Sequence, residues 1–230
     1  LGDMISGYIH EELMEGNQCS PTQATMFVDE LLSWGIEYMK ENTNLNKIVI
    51  PCCIGNHGRT GKQKRVATAH ANSYEWLMYQ NMSKRYINDP RVEFVIEDAY
   101  LLHLNIFGKY RIRFHHGDNV RYGGGIGGLT IPMNKAINQW DKMEHAYLSV
   151  CGHFHQFMDG GNFIVNGCFT PDMKVTMEDG TRKDIKDVQI GEYVLNRTGE
   201  INQVVNKLER PHTDRLMNIR FQGKQTEIKC

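Results

Sequence analysis

The sequence predicts a layered α/β fold through Gly167 and an all-β segment after it. Three observations carry that prediction. Stretches of helical and strand-like period alternate over residues 1–167. Polar clusters rich in Gly, Asn and His follow the strand-like runs, as functional loops do at the carboxyl ends of strands in α/β folds. From Cys168 onward no helical period can be found.

The elements follow in order. Ser20-Pro21 offers an N-cap and a proline at the first helical position, and Ala24, Phe27/Val28, Leu31/Leu32 and Met39 recur at helical spacing, so a helix is expected over 21–42. Ile48-Val-Ile-Pro-Cys-Cys53 is apolar on successive residues, the pattern of a strand buried on both faces. A second helix is expected over 64–79, and strands over 92–96, 100–106 and 110–115. The glycine-rich loop 123–128 leads into a third helix over 132–143, then strands over 146–151 and 162–165. That loop reads either as a phosphate-binding nest or as a segment flanking a site; no G-K-[ST] follows it. Beyond Cys168, short strands over 174–177, 193–195, 203–208, 216–221 and 226–228 are separated by Asp179-Gly180, Thr198-Gly199 and Gln222-Gly223 turns.

Composition narrows the class. With 230 residues and 40% hydrophobic content the chain has the means to bury a core in one or two domains. Its apolar runs are far shorter than a membrane span and no secretory leader opens it, so a cytoplasmic protein with no membrane partner is expected. Formal net charge is −1, so no global field would hold the chain on nucleic acid, although Lys62, Lys64 and Arg65 form a local basic run. The six cysteines form no C-x-x-C pair and suggest no disulfide framework; Cys52 and Cys53 read as small buried hydrophobes. Nine of the ten histidines precede Cys168, which places any imidazole chemistry in the first part.

Four polar clusters each follow an apolar strand-like run or open the chain where one would end: Gly2-Asp3, Gly55-Asn56-His57, His115-His116-Gly117 and Gly152-His153-Phe154-His155. Any one alone is a weak signal. Together, hard oxygen and borderline nitrogen ligands converging from several strand ends are what a metal site needs. This ordered set resembles the calcineurin-like metallophosphoesterases, whose pattern runs D-x-H, G-D, G-N-H, H, G-H-x-H; the resemblance covers residues 1–167, and the wording around Asp3 and His57 is similar to the branch found in phage genomes.

The resemblance implies a layered sandwich fold and two divalent ions, with Mn, Fe or Zn all suited to the ligand types. It implies that Asp3 bridges both ions, that Asn56, His116 and His153 complete one, and that His155 binds the other. His57 would lie near the scissile phosphate as an acid or charge stabiliser. The reaction implied is in-line attack on a phosphate ester by water activated between the ions, with nucleic acid as a possible substrate alongside small monoesters and diesters.

Two departures from the pattern stand out. The first D-x-H is absent, so the site is expected to be incomplete as the chain stands, and a non-catalytic scaffold or binding module with an ordinary C-terminal β domain is the rival reading. Gly58-Arg59 replaces the acidic residue that many relatives carry after G-N-H. Arg59 reads equally as a phosphate clamp or as a solvated loop arginine. His115 and His145 fall outside the ligand positions and are expected to be structural.

The second part carries its own resemblance. Cys168-Phe-Thr-Pro-Asp-Met-Lys-Val-Thr-Met-Glu-Asp-Gly180, followed by Ile190-Gly-Glu-Tyr-Val-Leu195, is similar to the N-terminal block of an intein, a Hint-type all-β domain. The resemblance implies that Cys168 attacks the carbonyl of Gly167 and moves its acyl group from nitrogen to sulfur, so Gly167-Cys168 would be a splice junction. Hedgehog-type autoprocessing domains share this fold and first step, but an insertion inside an enzyme's motif favours an intein. The later T-x-x-H and terminal His-Asn elements are not present, and His212 does not substitute for them. The partners implied are a C-terminal intein half and the host segment beyond it, whether the chain is one half of a split intein or a clipped fragment. Domains are accordingly expected at 1–167 and 168–230.

Overall fold

The computed structural model describes residues 2–124, 127–167, 171–195, 199–205 and 207, with the backbone alone of 218–220 and 227–229. The structure is mixed α/β, with several sheets and few helices.

A short helix α1 (Glu12–Gly16), unforeseen in the sequence, precedes α2 (Pro21–Asn42). The bounds of α2 match those expected because local chemistry sets its start. Ser20 Oγ accepts the Gln23 amide while Gln23 reaches back to the Ser20 amide, a capping box worth about 1 kcal/mol, with Pro21 at the first position. The strand β1 (Ile48–Cys52) follows. The helix expected over 64–79 forms instead as α3 (Tyr74–Arg85), after a 3₁₀ turn at His70–Asn72. Residues 61–68 are exposed and have no apolar face to dock. The neighbouring chain is tied down by strand-like bonds: the Thr60 amide donates to Asn72 and the Tyr74 amide to Gly58, and Ser73 then caps the helix through the Trp76 amide.

Strand β1 pairs in parallel with β2 (Val92–Ile96), Ile48 opposite Val92 and Cys52 opposite Ile96. Helices α2 and α3 close over this pair through Val28, Ile36, Met78 and Met82. β1 is not buried on both faces throughout, since Val49 is 40% exposed.

The second sheet has five strands in the order β3 (Leu102–Ile106), β4 (Tyr110–His115), β5 (Leu148–Cys151), β7 (Phe163–Val165), β6 (Met158–Asp159). Strands β4, β5 and β7 are parallel, and β3 and β6 run antiparallel at the two edges. Between β4 and β5 lies α4 (Thr130–Trp140), which packs Met133 and Ile137 against Phe163 and Val165. Burying such side chains stabilises by roughly 1.5–3 kcal/mol each. Edge strand β3 also passes close to β1.

Beyond residue 170 the described backbone holds short antiparallel pairs: β8 (Lys174–Thr176) with β9 (Arg182–Asp184), β10 (Tyr193–Leu195) with β11 (Ile201–Gln203), and β12 (Asn218–Arg220) with β13 (Glu227–Lys229). A Met177–Val194 bridge links the first two pairs. Apart from a 3₁₀ turn at Ile185–Asp187, no helix occurs there among the described residues. Cys168 and His212 lie outside the described residues. No described helix is long and apolar enough to cross a membrane.

Candidate metal centre

Three loops that leave the carboxyl ends of strands meet at one point. β1 runs into Gly55-Asn56-His57, β4 ends at His115 and is followed directly by His116, and β5 leads to Gly152-His153. The parallel register of β4 and β5 continues past the strands, the Gly152 amide donating to the His116 carbonyl at 2.9 Å, and this holds the last two loops side by side. The Gly2-Asp3 segment lies across Gly55.

His116 is the centre of the cluster. Its Nε2 stands 2.8 Å from Asp3 Oδ2, 3.1 Å from Asn56 Oδ1 and 3.2 Å from His153 Nδ1. An imidazole nitrogen carries one proton or one lone pair. A proton there can serve one neighbour at a time, whereas a cation between them serves all the donor atoms together. Asp3, His116 and His153 offer ligand atoms that all lie within 4.8 Å of one another, a group that can hold a metal ion. One carboxylate and two imidazoles form the donor set of an open, catalytic type of site, so the residues fit a divalent ion.

Electrostatics prepare the ligand forms. Burial opposes ionisation of Asp3, but hydrogen bonding and charge from His116, with the His57 amide, outweigh it and hold the carboxyl below its ordinary range. Burial, reinforced by His116, lowers the pKa of His153 and favours the neutral ring that a metal requires. Backbone strain also gathers here. Among the described residues, four non-glycines have positive φ, and three are Asp3 (50°), His153 (67°) and His155 (53°). Such strain costs roughly 1–3 kcal/mol per residue and persists where the surroundings impose it.

The remaining residues singled out in the sequence divide. His57 lies at the edge of the cluster: its amide donates to Asp3 Oδ1 at 2.8 Å, its Nδ1 sits 2.9 Å from the Ser6 carbonyl, and its Nε2 is 4.0 Å from Asp3 Oδ2. Since Ser6 can only accept, Nδ1 carries a proton and Nε2 faces the site. His155 is exposed and does not belong to the three-residue cluster. Arg59 donates from Nε, Nη1 and Nη2 to the carbonyls of Gly61, Asn56 and Lys62, so three of its five N–H groups brace its own loop. Lys62 pairs with Glu11 and Lys64 with Asp118, which leaves the basic run largely engaged. A cavity of about 310 Å³ opens beside Asn56, walled by Arg59, Lys64, Asn72, Tyr100 and Asn119 among others. Gly167 packs closely against Phe157.

His115 and His145 lie outside the three-residue cluster. Both ring nitrogens of His115 lack partners, the ring packs against Tyr100 and Trp140, and burial drives its pKa down to about 3. His145 caps Asp141 from the surface. Cys52 is buried, its thiol pushed up to about 12 by desolvation.

One buried group at the centre escaped the sequence reading. Glu75, in the first turn of α3, is fully buried and accepts the Met4 and Gly55 amides. The faint trace of it in the sequence is Gly58, where a Cβ would fall 2.6 Å from Glu75 Cγ and 2.7 Å from Cδ.

No family model, curated protein or solved structure matches the chain.

Proposed function

We propose that residues 1–167 form a divalent-metal-dependent phosphoester hydrolase domain of the calcineurin-like type, and that residues 168–230 begin an intein. One observation carries the first half: the convergence of Asp3, Asn56 and His153 on a single His116 nitrogen, with two of those four residues in strained backbone. A bound divalent ion would supply charge to polarise a phosphoryl oxygen and to acidify water. The chain's own residues do the rest. Asp3, Asn56, His116 and His153 hold the ion; Mn, Fe and Zn all suit one carboxylate and two imidazoles. His57 offers Nε2 at the rim, placed to hold a proton near a leaving oxygen or to face its developing charge. The cavity beside Asn56 has room for the organic part of a monoester or diester.

The reading includes a second ion, which Asp3 and His155 would hold; the three-residue cluster supports one. A metal-holding module without hydrolysis is the second reading, and the position of His155 outside the cluster is the observation in its favour. For the intein, support comes from the short hairpins and the absence of helix other than a 3₁₀ turn among the described residues past 170. In its first step the Cys168 sulfur would bond to the Gly167 carbonyl carbon as the C–N bond breaks, leaving a thioester and a free amine on Cys168.

The test is hydrolysis of bis(4-nitrophenyl) phosphate with and without Mn²⁺ by the completed host enzyme, comparing wild type with Asp3→Asn. Metal-dependent turnover lost in the variant is the expected result. Mn²⁺ binding without turnover in the whole gene product would favour the scaffold. For the junction, cleavage after Gly167 under dithiothreitol in the completed intein is expected to vanish in Cys168→Ala, and cleavage that survives there refutes the assignment.

A further inference from the structure

Glu75 has no place in the ligand set, yet it is the most deeply buried charged group beside it. The side chain is 0% exposed. One carboxylate oxygen accepts the Met4 amide at 2.5 Å and the other accepts the Gly55 amide at 2.9 Å. Met4 directly follows Asp3, and Gly55 directly precedes Asn56. The two loops are distant in sequence and no strand pairing joins them. Their contact is nevertheless tight, since a Cβ on Gly55 would fall 2.1 Å from the Asp3 nitrogen.

We propose that Glu75 is a positioning residue for the metal centre: its carboxylate spans the Asp3 and Asn56 loops and sets the separation of their ligand atoms. This rests on the metal reading above. Both oxygens accept backbone N–H groups, the arrangement that suits an ionised carboxylate. Burial raises its pKa, with the Gly55 amide opposing the rise and Asp3 adding to it. Gly58 fits the same account: any side chain at that position would occupy the space filled by the Glu75 carboxylate.

The amide of Gln matches the shape of Glu but removes the charge and points an N–H₂ group at one of the two backbone donors. The experiment is calorimetric titration of Mn²⁺ into the whole chain, paired with thermal unfolding of the metal-free protein, for wild type and Glu75→Gln. Outer-shell partners of metal ligands typically govern affinity by about 10–100-fold. An affinity loss of about tenfold or more in the folded variant, whether or not metal-free melting also falls, is the expected pattern. A purely structural role would instead lower melting and leave the affinity of the folded protein intact, and that result overturns the proposal.

A second variant guards against misfolding. Gly58→Ala keeps Glu75 but pushes its carboxylate aside, and is expected to weaken Mn²⁺ binding in the same direction. Affinity within twofold of wild type in both variants sinks the role of Glu75 alone. A wild-type chain that does not bind Mn²⁺ sinks the metal reading with it.

Discussion

Gly55→Ala places a severe backbone clash on the proposed centre. The added methyl would stand 2.1 Å from the Asp3 nitrogen, 2.3 Å from Asp3 Oδ1 and 2.8 Å from Asp3 Cα. Carbon settles at about 3.5–4.0 Å from its non-bonded neighbours, so one loop must retreat by roughly 1 Å. Two of the three obstructing atoms are backbone, and a rotamer change cannot relieve them. Overpacking of this kind costs about 1–3 kcal/mol, which lowers the melting temperature of a domain of this size by roughly 2–12 °C. The retreat also pulls Asp3 Oδ2 away from His116 Nε2, now at 2.8 Å, so Mn²⁺ affinity is expected to fall at least about tenfold. The assay is thermal unfolding of the metal-free chain together with Mn²⁺ titration. Gly61→Ala serves as the control, because nothing lies within 4 Å of its Cβ position and its segment is exposed; it is expected to be neutral or stabilising by about 0.4–1 kcal/mol. A Gly55→Ala protein that melts and binds like the Gly61→Ala control would refute the packing of Asp3 against the β1 loop.

Two further perturbations test the frame around the centre. His115 titrates at about 3 in the folded chain against about 6.5 when unfolded, so the unfolded state binds more protons between those values. Stability therefore falls as pH drops from 6.5 toward 3, and His115→Phe, which removes this group, is expected to lose less stability over that window in urea denaturation. Arg113 is fully buried and donates to Asp141, the Glu144 carbonyl, Ser149 and His103. Arg113→Lys keeps the charge but cannot span that planar set of acceptors, and a loss of about 3–5 kcal/mol is expected from equilibrium unfolding; a loss below 1 kcal/mol would show that the network is dispensable.

How much of this could be read in advance depended on the range of the interactions. Ser20, Pro21 and Gln23 set the start of α2 through contacts within one turn, and the expected helix agrees with the observed one. The strands at Val92–Ile96 and Tyr110–His115 were legible from their period. So was the list of strand-end residues worth attention, because each polar cluster is contiguous. The second helix was misplaced by about ten residues at its start because backbone bonds from Thr60 to Asn72 and from Tyr74 to Gly58, invisible in a local window, decide where it begins.

By itself the sequence determined which groups are available: Asn56, His57, His116, His153 and His155 each follow a run of strand-like residues, and Asp3 stands in the Gly-Asp pair near the first residue, so local patterning is enough to single them out. Tertiary structure decided which of them meet. The parallel register of β4 with β5 and the crossing of Gly2-Asp3 over Gly55 bring Asp3, Asn56 and His153 onto one His116 nitrogen and leave His155 outside the three-residue cluster. It also brought in Glu75, whose position between the Asp3 and Asn56 loops no local pattern records. The reason is physical: propensity and periodicity act over a few residues, whereas a ligand set is fixed by packing between segments distant in sequence.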